Sequence, residues 1–229
     1  GVSAGTAITE SPLIVMSGSK YTGTDAEVAN AQLALTAAYN DISNRTEPTP
    51  TVLSNPDLGG QTLVSGIYSA TSLALTGTLT LDGQNDPASV FIIKSGSTLV
   101  TADNSNVVLI NGADACNVFW QVTSSATLGT SSTLYGHVLA LVTITANTGS
   151  TVYGSLLAST GEVTLDSTTI VNNACTTPVV EEEEETPVVV PPVTPPVETT
   201  TPSPLPATSS PLDIIFMIGG ALVLLGAAG

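Results

Sequence analysis

The 229-residue chain is short of basic residues, histidine, cysteine and aromatic rings. Lys20, Arg45 and Lys94 are its only bases, against 19 Asp and Glu, for a formal net charge of -16. Three cations cannot neutralise a row of phosphates, which excludes nucleic-acid binding and leaves enzymes of anionic substrates badly served. His137 is the only histidine, so acid–base chemistry has little to work with. What the chain does have is hydroxyl groups, with 35 Thr and 24 Ser. Its 42% hydrophobic content and mean hydropathy of +0.36 can bury a core, so disorder throughout is excluded as well.

The charge divides at Cys175. Residues 1–175 hold 12 acids and all 3 bases, a net of -9, and residues 176–229 hold 7 acids and no base, a net of -7. Residues 176–211 carry most of the prolines and the run Glu181–Glu185. Proline fixes φ and lacks an N–H, and the glutamates repel one another, so this stretch reads as a semi-rigid polyproline II stalk. Within it, Leu205-Pro206-Ala207-Thr208-Ser209 resembles the LPxTG sorting signal that a sortase links to the cell wall, with Ser209 where the motif has Gly. Residues 212–229 follow as an apolar segment whose run Ile214–Ala228 carries no charge, shorter than the ~20 residues that span a bilayer, and read as a truncated C-terminal membrane anchor. Two cysteines in an exported chain suggest one disulfide, Cys116–Cys175. Closing a loop of that size is worth about 4 kcal/mol.

One helix is expected in the body. Thr24 and Glu27 form a capping box, and Val28, Ala31, Leu35, Ala38 and Ile42 follow at helical spacing. An end near Asn44 gives about 20 residues and 30 Å. From Leu58 onward, short strands lie between Gly, Asn, Asp and Ser corners, and they repeat. Thr133, Tyr135 and Gly136 align with Thr151, Tyr153 and Gly154, and Thr168 restarts the pattern. A longer repeat pairs the segments opening at Asp86 and Asp114. Short strands recurring about every 18 residues predict a β-solenoid, in which stacked coils together make the core that one coil cannot. The helix would lie along one wall, with the region of Val138, Leu139, Leu156 and Leu157 a candidate for it.

DLGGQTL, LTGTLTLDGQNDPASVFI, VVLINGADACNVFWQV, LALVTITANTGSTVYGSLLA and the AQLALTAAYNDISNRT helix resemble the microbial ice-binding protein family over residues 1–175. The resemblance implies a mainly β fold, a right-handed discontinuous β-helix of triangular section with one long α-helix alongside. It also implies strands ahead of Gly1 that are missing here. The expected partner is ice or an ordered water surface, with no cofactor, no metal and no enzymatic activity. Asp82 and Asp86 flank a turn that a solenoid corner explains as well as a calcium site does. His137 and Trp120 read as structural. The alternative is a surface adhesin or structural solenoid that binds polysaccharide or protein.

An ice-binding face must be flat, rigid and uncharged. A parallel sheet repeats about every 4.8 Å across its strands and 6.7 Å along them, comparable to spacings on ice planes. Threonine suits such a face because its χ1 is restricted. The expected face combines Thr98, Thr127, Thr133 and Thr151, which alternate with inward Leu99, Leu128, Leu134 and Val152, with Thr130 between them. The family's T-A/G-x-T/N motif adds Thr101 and Asn104, and Thr145 and Thr148. The strand Glu162–Asp166 would present carboxylates and belong to a different, poorer wall. Such a protein would work outside the cell, secreted or held to the membrane or wall.

Overall fold

The computed structural model describes residues 25–172, together with Ser19, Tyr21 and Gly23. Among the described residues are one α-helix and fifteen strands, paired throughout in parallel. Parallel pairing of short strands that skip their immediate neighbours in the chain is the mark of a solenoid, and these strands form three walls.

The first wall stacks Thr62–Val64, Thr78–Asp82, Asn106–Ile110, the start of Thr133–Ala140, the start of Thr151–Ala158, and Thr169–Val171. The second stacks Thr51–Val52, Gly66–Ala70, Phe91–Ser95, Val118–Val122 and the later halves of the two eight-residue strands. The third stacks Leu73–Leu75, Leu99–Thr101, Ala126–Leu128, Ile144–Ala146 and Val163–Leu165. Each coil visits the walls in that order, and coils stack in chain order.

Alternation sorts the side chains. Leu75, Leu79, Leu81, Phe91, Ile93, Leu99, Val107, Trp120, Leu128, Leu134, Ile144 and Val152 point inward and form one core. A fully buried aliphatic side chain contributes about 1.5–3 kcal/mol, so the stack is held chiefly by this shared interior. Side chains also staple coil to coil: Ser125 Oγ bonds Thr143 Oγ1 at 2.9 Å, and Ser150 Oγ bonds Thr168 Oγ1 at 3.1 Å. At the start of the third wall, Asp57 Oδ1 accepts the N–H groups of Gly59 and Thr76, while the Thr76 hydroxyl donates to Oδ2. These bonds, led by the Thr76 hydroxyl, hold the Asp57 carboxyl below its ordinary range.

The helix runs Ala26–Asn44, with Asp25 rather than Thr24 as its N-cap. Its buried stripe is Val28, Leu35, Tyr39 and Ile42, whereas Ala31 and Ala38 are exposed. Leu35, Tyr39 and Ile42 pack on the outer face of the second wall, against Ile67, Ile92 and Leu139, with Phe119 and Leu157 partly buried beside them. The expected wall is therefore right in Leu139 and Leu157. Val138 and Leu156 are corrected, because strand alternation turns them into the core. Lys94 Nζ donates to the carbonyls of Ser43 at 3.1 Å and Arg45 at 2.9 Å, satisfying acceptors that a helix end leaves open.

Gly136 and Gly154 mark the corner where each eight-residue strand passes from the first wall to the second. They pair in register, with φ of 109° and 151°. A Cβ on Gly154 would stand 2.0 Å from the Gly136 carbonyl oxygen, and one on Gly136 would stand 2.5 Å from that of Val118. Gly136→Ala and Gly154→Ala should each cost at least about 2 kcal/mol in urea denaturation, combining overpacking with a strained φ. A loss no larger than that of the surface control Thr133→Ala would show that the corner tolerates a side chain.

Candidate functional site

The second wall is covered by the helix, which leaves two faces to compare. On the first wall, register puts Thr78, Asn106, Thr133, Thr151 and Thr169 in one column. The next column holds Tyr135 and Tyr153, whose rings stack with centroids 4.6 Å apart. Asp82 and the exposed Ile110 lie beyond them, in register with each other. This face mixes hydroxyls, rings, an acid and aliphatics of very different height.

The third wall is more uniform. Its central outward column reads Ala74, Val100, Thr127, Thr145, Thr164. Two residues earlier in each coil, the same register sets Ser72, Thr98, Ser125, Thr143 and Glu162, and the bond between Ser125 and Thr143 confirms the alignment. On the other side of the column lie Ala102, Gly129, Asn147 and Asp166. Gly129 is required there, since a Cβ would meet the Ala102 carbonyl at 2.4 Å. From Ser72 to Asn147 these columns carry no ionisable side chain. The acids stand at the margins: Asp57 before the first strand, Asp103 at the corner, Glu162 and Asp166 on the last coil.

The corner from the third wall to the first has its own repeat. Asn104, Ser131, Gly149 and Ser167 all take positive φ, at 58°, 56°, 70° and 51°. Asparagine and glycine tolerate this conformation, so Asn104 serves the turn itself.

The expected site residues therefore do not form a single face. Thr127 and Thr145 lie side by side on the third wall, and Thr98 sits one column over from them. Thr133 and Thr151 are on the first wall. Thr130 and Thr148 occupy the corner between, where the Thr130 N–H donates to Asp103 Oδ1 at 2.7 Å and the Thr148 hydroxyl donates to Asp166 Oδ2. Thr101 is turned inward at 3% exposure, its Oγ1 accepting the Gly129 N–H at 2.9 Å. It is withdrawn from the surface. The separation of Glu162–Asp166 from the threonine wall is also corrected: Thr164 pairs with Thr145 and completes the same column. Ser125, Thr143 and Thr164 were not singled out from sequence. The 18-residue spacing of Ser125 from Thr143 and of Thr127 from Thr145 carried the signal.

The remaining candidates have structural settings. Trp120 is fully buried and its Nε1–H donates to the Tyr135 carbonyl at 2.9 Å. Asp82 Oδ1 accepts from the Gln84 N–H and Asn111 Nδ2, and Asp86 Oδ1 accepts from the Ala88 N–H. Among the described residues no three His, Cys, Asp or Glu side chains gather as a metal site. Cys116 sits in the short 3-10 turn Ala115–Asn117, its N–H bonded to Asp114 Oδ1. Cys175, the Leu205–Ser209 motif, the stalk and the apolar C-terminal segment lie outside the described residues. No helix among the described residues is long and apolar enough to cross a membrane.

Taken together, these walls define a helix-flanked parallel β-solenoid whose third wall carries no ionisable side chain in its columns from Ser72 to Asn147. The chain belongs to the Ice-binding-like family, whose profile matches residues 1–171. It is 44% identical over 177 residues to an ice-binding protein of Nostoc sp. (strain HG1), covering 76% of this chain and 64% of that one. It is 38% identical over 154 residues to ice-binding protein 1 of Shewanella frigidimarina (strain NCIMB 400), covering 66% of this chain and 17% of that one. The chain thus spans less than two thirds of either relative. Among solved structures, the crystal structure of an ice-binding protein from the Antarctic ascomycete Antarctomyces psychrotrophicus is similar with a TM-score of 0.61. That match has 42% identity and covers 64% of this chain and 72% of that one.

His137 faces the helix side of the second wall, with its Nδ1 2.6 Å from Ser155 Oγ and its ring 5.5 Å from that of Phe119. Burial holds the imidazole below its ordinary pKa of 6.5. The neutral form is therefore favoured in the fold, and its contribution to stability is present above the unfolded value. It is lost as pH falls through the folded one. Between pH 7.5 and pH 5.5, wild type should lose more thermal stability than His137→Phe. Equal losses would assign the pH dependence to other groups.

Proposed function

We propose that this chain binds ice through its third wall and so inhibits ice growth or recrystallisation. The observation that carries the reading is the in-register ladder Thr127–Thr145–Thr164 beside Ser125–Thr143, on a face whose ionisable groups are confined to its margins and last coil. Neighbouring members are about 4.8 Å apart across strands, and alternate residues about 6.7 Å apart along them. The threonine methyl orders nearby water while the hydroxyl bonds that water into the layer, and the restricted χ1 keeps the array in place at little entropic cost. Adsorbed molecules force ice to grow between them with a curved front, which stops growth. The family membership and the names of the relatives support the same reading.

The same proposal puts the protein outside the cell. The Pro-rich residues 176–211 would serve as a stalk, and residues 212–229 would anchor the solenoid of residues 1–175. Attachment would go either through a sortase acting at Leu205, Pro206, Ala207, Thr208 and Ser209 or directly through the membrane. A Cys116–Cys175 disulfide would close the last part of the solenoid before the stalk begins. An anchored molecule would hold a cell to ice, and a released one would protect the surrounding brine.

Thermal hysteresis tests the reading and the choice of face together. Thr127→Tyr and Thr145→Tyr place a ring in the middle of the grid and should each lower hysteresis at least tenfold, with circular dichroism unchanged. Thr133→Tyr and Thr151→Tyr, on the first wall, should lower it less than twofold. No hysteresis in the folded wild type would sink ice binding itself. The reverse order of effects would move the site to the first wall.

A further inference from the structure

Of the chain's twelve asparagines, only Asn44 has Ser or Thr two residues on with no proline between, in Asn44-Arg45-Thr46. We propose that Asn44 is a site of N-linked glycosylation, a modification that nothing in the ice-binding surface calls for.

The structure supplies an accessible triplet. Asn44 is the last residue of the helix, Arg45 leaves it in extended conformation with φ −67° and ψ 122°, and Asn44 and Thr46 are both exposed. The Asn44 side chain also points the right way. At 3.6 residues per turn, Leu35, Tyr39 and Ile42 fall within about 40° of Val28 around the helix, whereas Asn44 lies about 160° from it. Asn44 therefore stands opposite the stripe buried on the second wall. The backbone on both sides of it is held toward that wall by Lys94 Nζ, through the carbonyls of Ser43 and Arg45. A sugar at this point projects away from the solenoid and leaves the third wall bare.

The donor is an oligosaccharide linked to a lipid through phosphate. The Asn44 side-chain nitrogen forms a bond to the anomeric carbon and loses one proton. The bond from that carbon to the phosphate oxygen breaks, and the lipid phosphate leaves as an anion. The Thr46 hydroxyl orients the amide for this step. Export, taken from the proposed function, is what brings the chain to such a donor.

The test is mass spectrometry of the full chain purified from its own cells, followed by digestion. The expected result is a glycan mass on the peptide containing Asn44, lost in Asn44→Gln and in Thr46→Ala but kept in Thr46→Ser. Unmodified Asn44, or sugar confined to Ser and Thr hydroxyls, would overturn the assignment. Asn44→Gln should leave thermal hysteresis within twofold of wild type. A larger fall with the fold intact would contradict the placement of the sugar away from ice. The mass readout does not depend on hysteresis, so failure of the ice reading would be seen separately.

Discussion

A single coil of this chain is too thin to bury anything, and the main-chain ladder between coils is what makes it a protein. Parallel bonds at about 4.8 Å fix each strand against the same strand of the next coil, so inward and outward positions are inherited from one coil to the next. Leu79, Val107 and Leu134 are core because their neighbours in the stack are core. The ladder constrains strands only. Corners outside it can lengthen, and they do: residues 83–90 and 111–117 swell the middle coils from a spacing of 18 residues to between 25 and 28, while the walls keep their register. The backbone limits the tightest corners, where Gly154 packs directly on the Gly136 carbonyl.

The same ladder produces the surface proposed to bind ice and sets its edges. A hydroxyl in a corner has a different task from one in the middle of a wall. Thr101 turns in to accept the Gly129 N–H, and the Thr148 hydroxyl meets Asp166, so both are occupied with holding neighbouring coils together. Thr127 and Thr145 have alternation on their side: their inward neighbours Ala126, Leu128, Ile144 and Ala146 fill the core, and their own hydroxyls face water. Residue type alone does not distinguish these cases. Position in the coil does.

This also explains what could be read from the sequence and what could not. The helix, the three-strand coil, the alignment of Thr133, Tyr135 and Gly136 with Thr151, Tyr153 and Gly154, and the structural character of Trp120 were all legible, because each depends on a local period. The assembly of threonines into one face was not. Thr127 and Thr133 are six residues apart and follow the same Ser/Thr-then-Leu pattern, yet a corner with positive φ at Ser131 lies between them and turns the chain onto another wall. Thr98 and Thr127 each precede an inward leucine, but Leu99 pairs with Ala126 rather than Leu128, so they fall in adjacent columns. Thr164 stands two residues from an acid on either side, which masks it as a member of a threonine column. One extra residue in the preceding corner hid its register with Thr145.

The placing of two of the three bases follows from the architecture. The second wall cannot face water, since Ile67, Ile92, Phe119 and Leu139 make an apolar outer strip of the kind that soluble proteins cover. Covering it takes a helix, and the helix brings a C-terminal end with open carbonyls. Lys94 answers those carbonyls, and Arg45 pairs with Asp41 at 2.8 Å beside it. That exposed pair stabilises by less than about 1 kcal/mol, so its main consequence is location: two of the three bases are committed to the helix-bearing side. Neither is left for the other two walls. A third wall with no cation in its grid, and with its acids at the ends, is what the proposed ice-binding role asks of it.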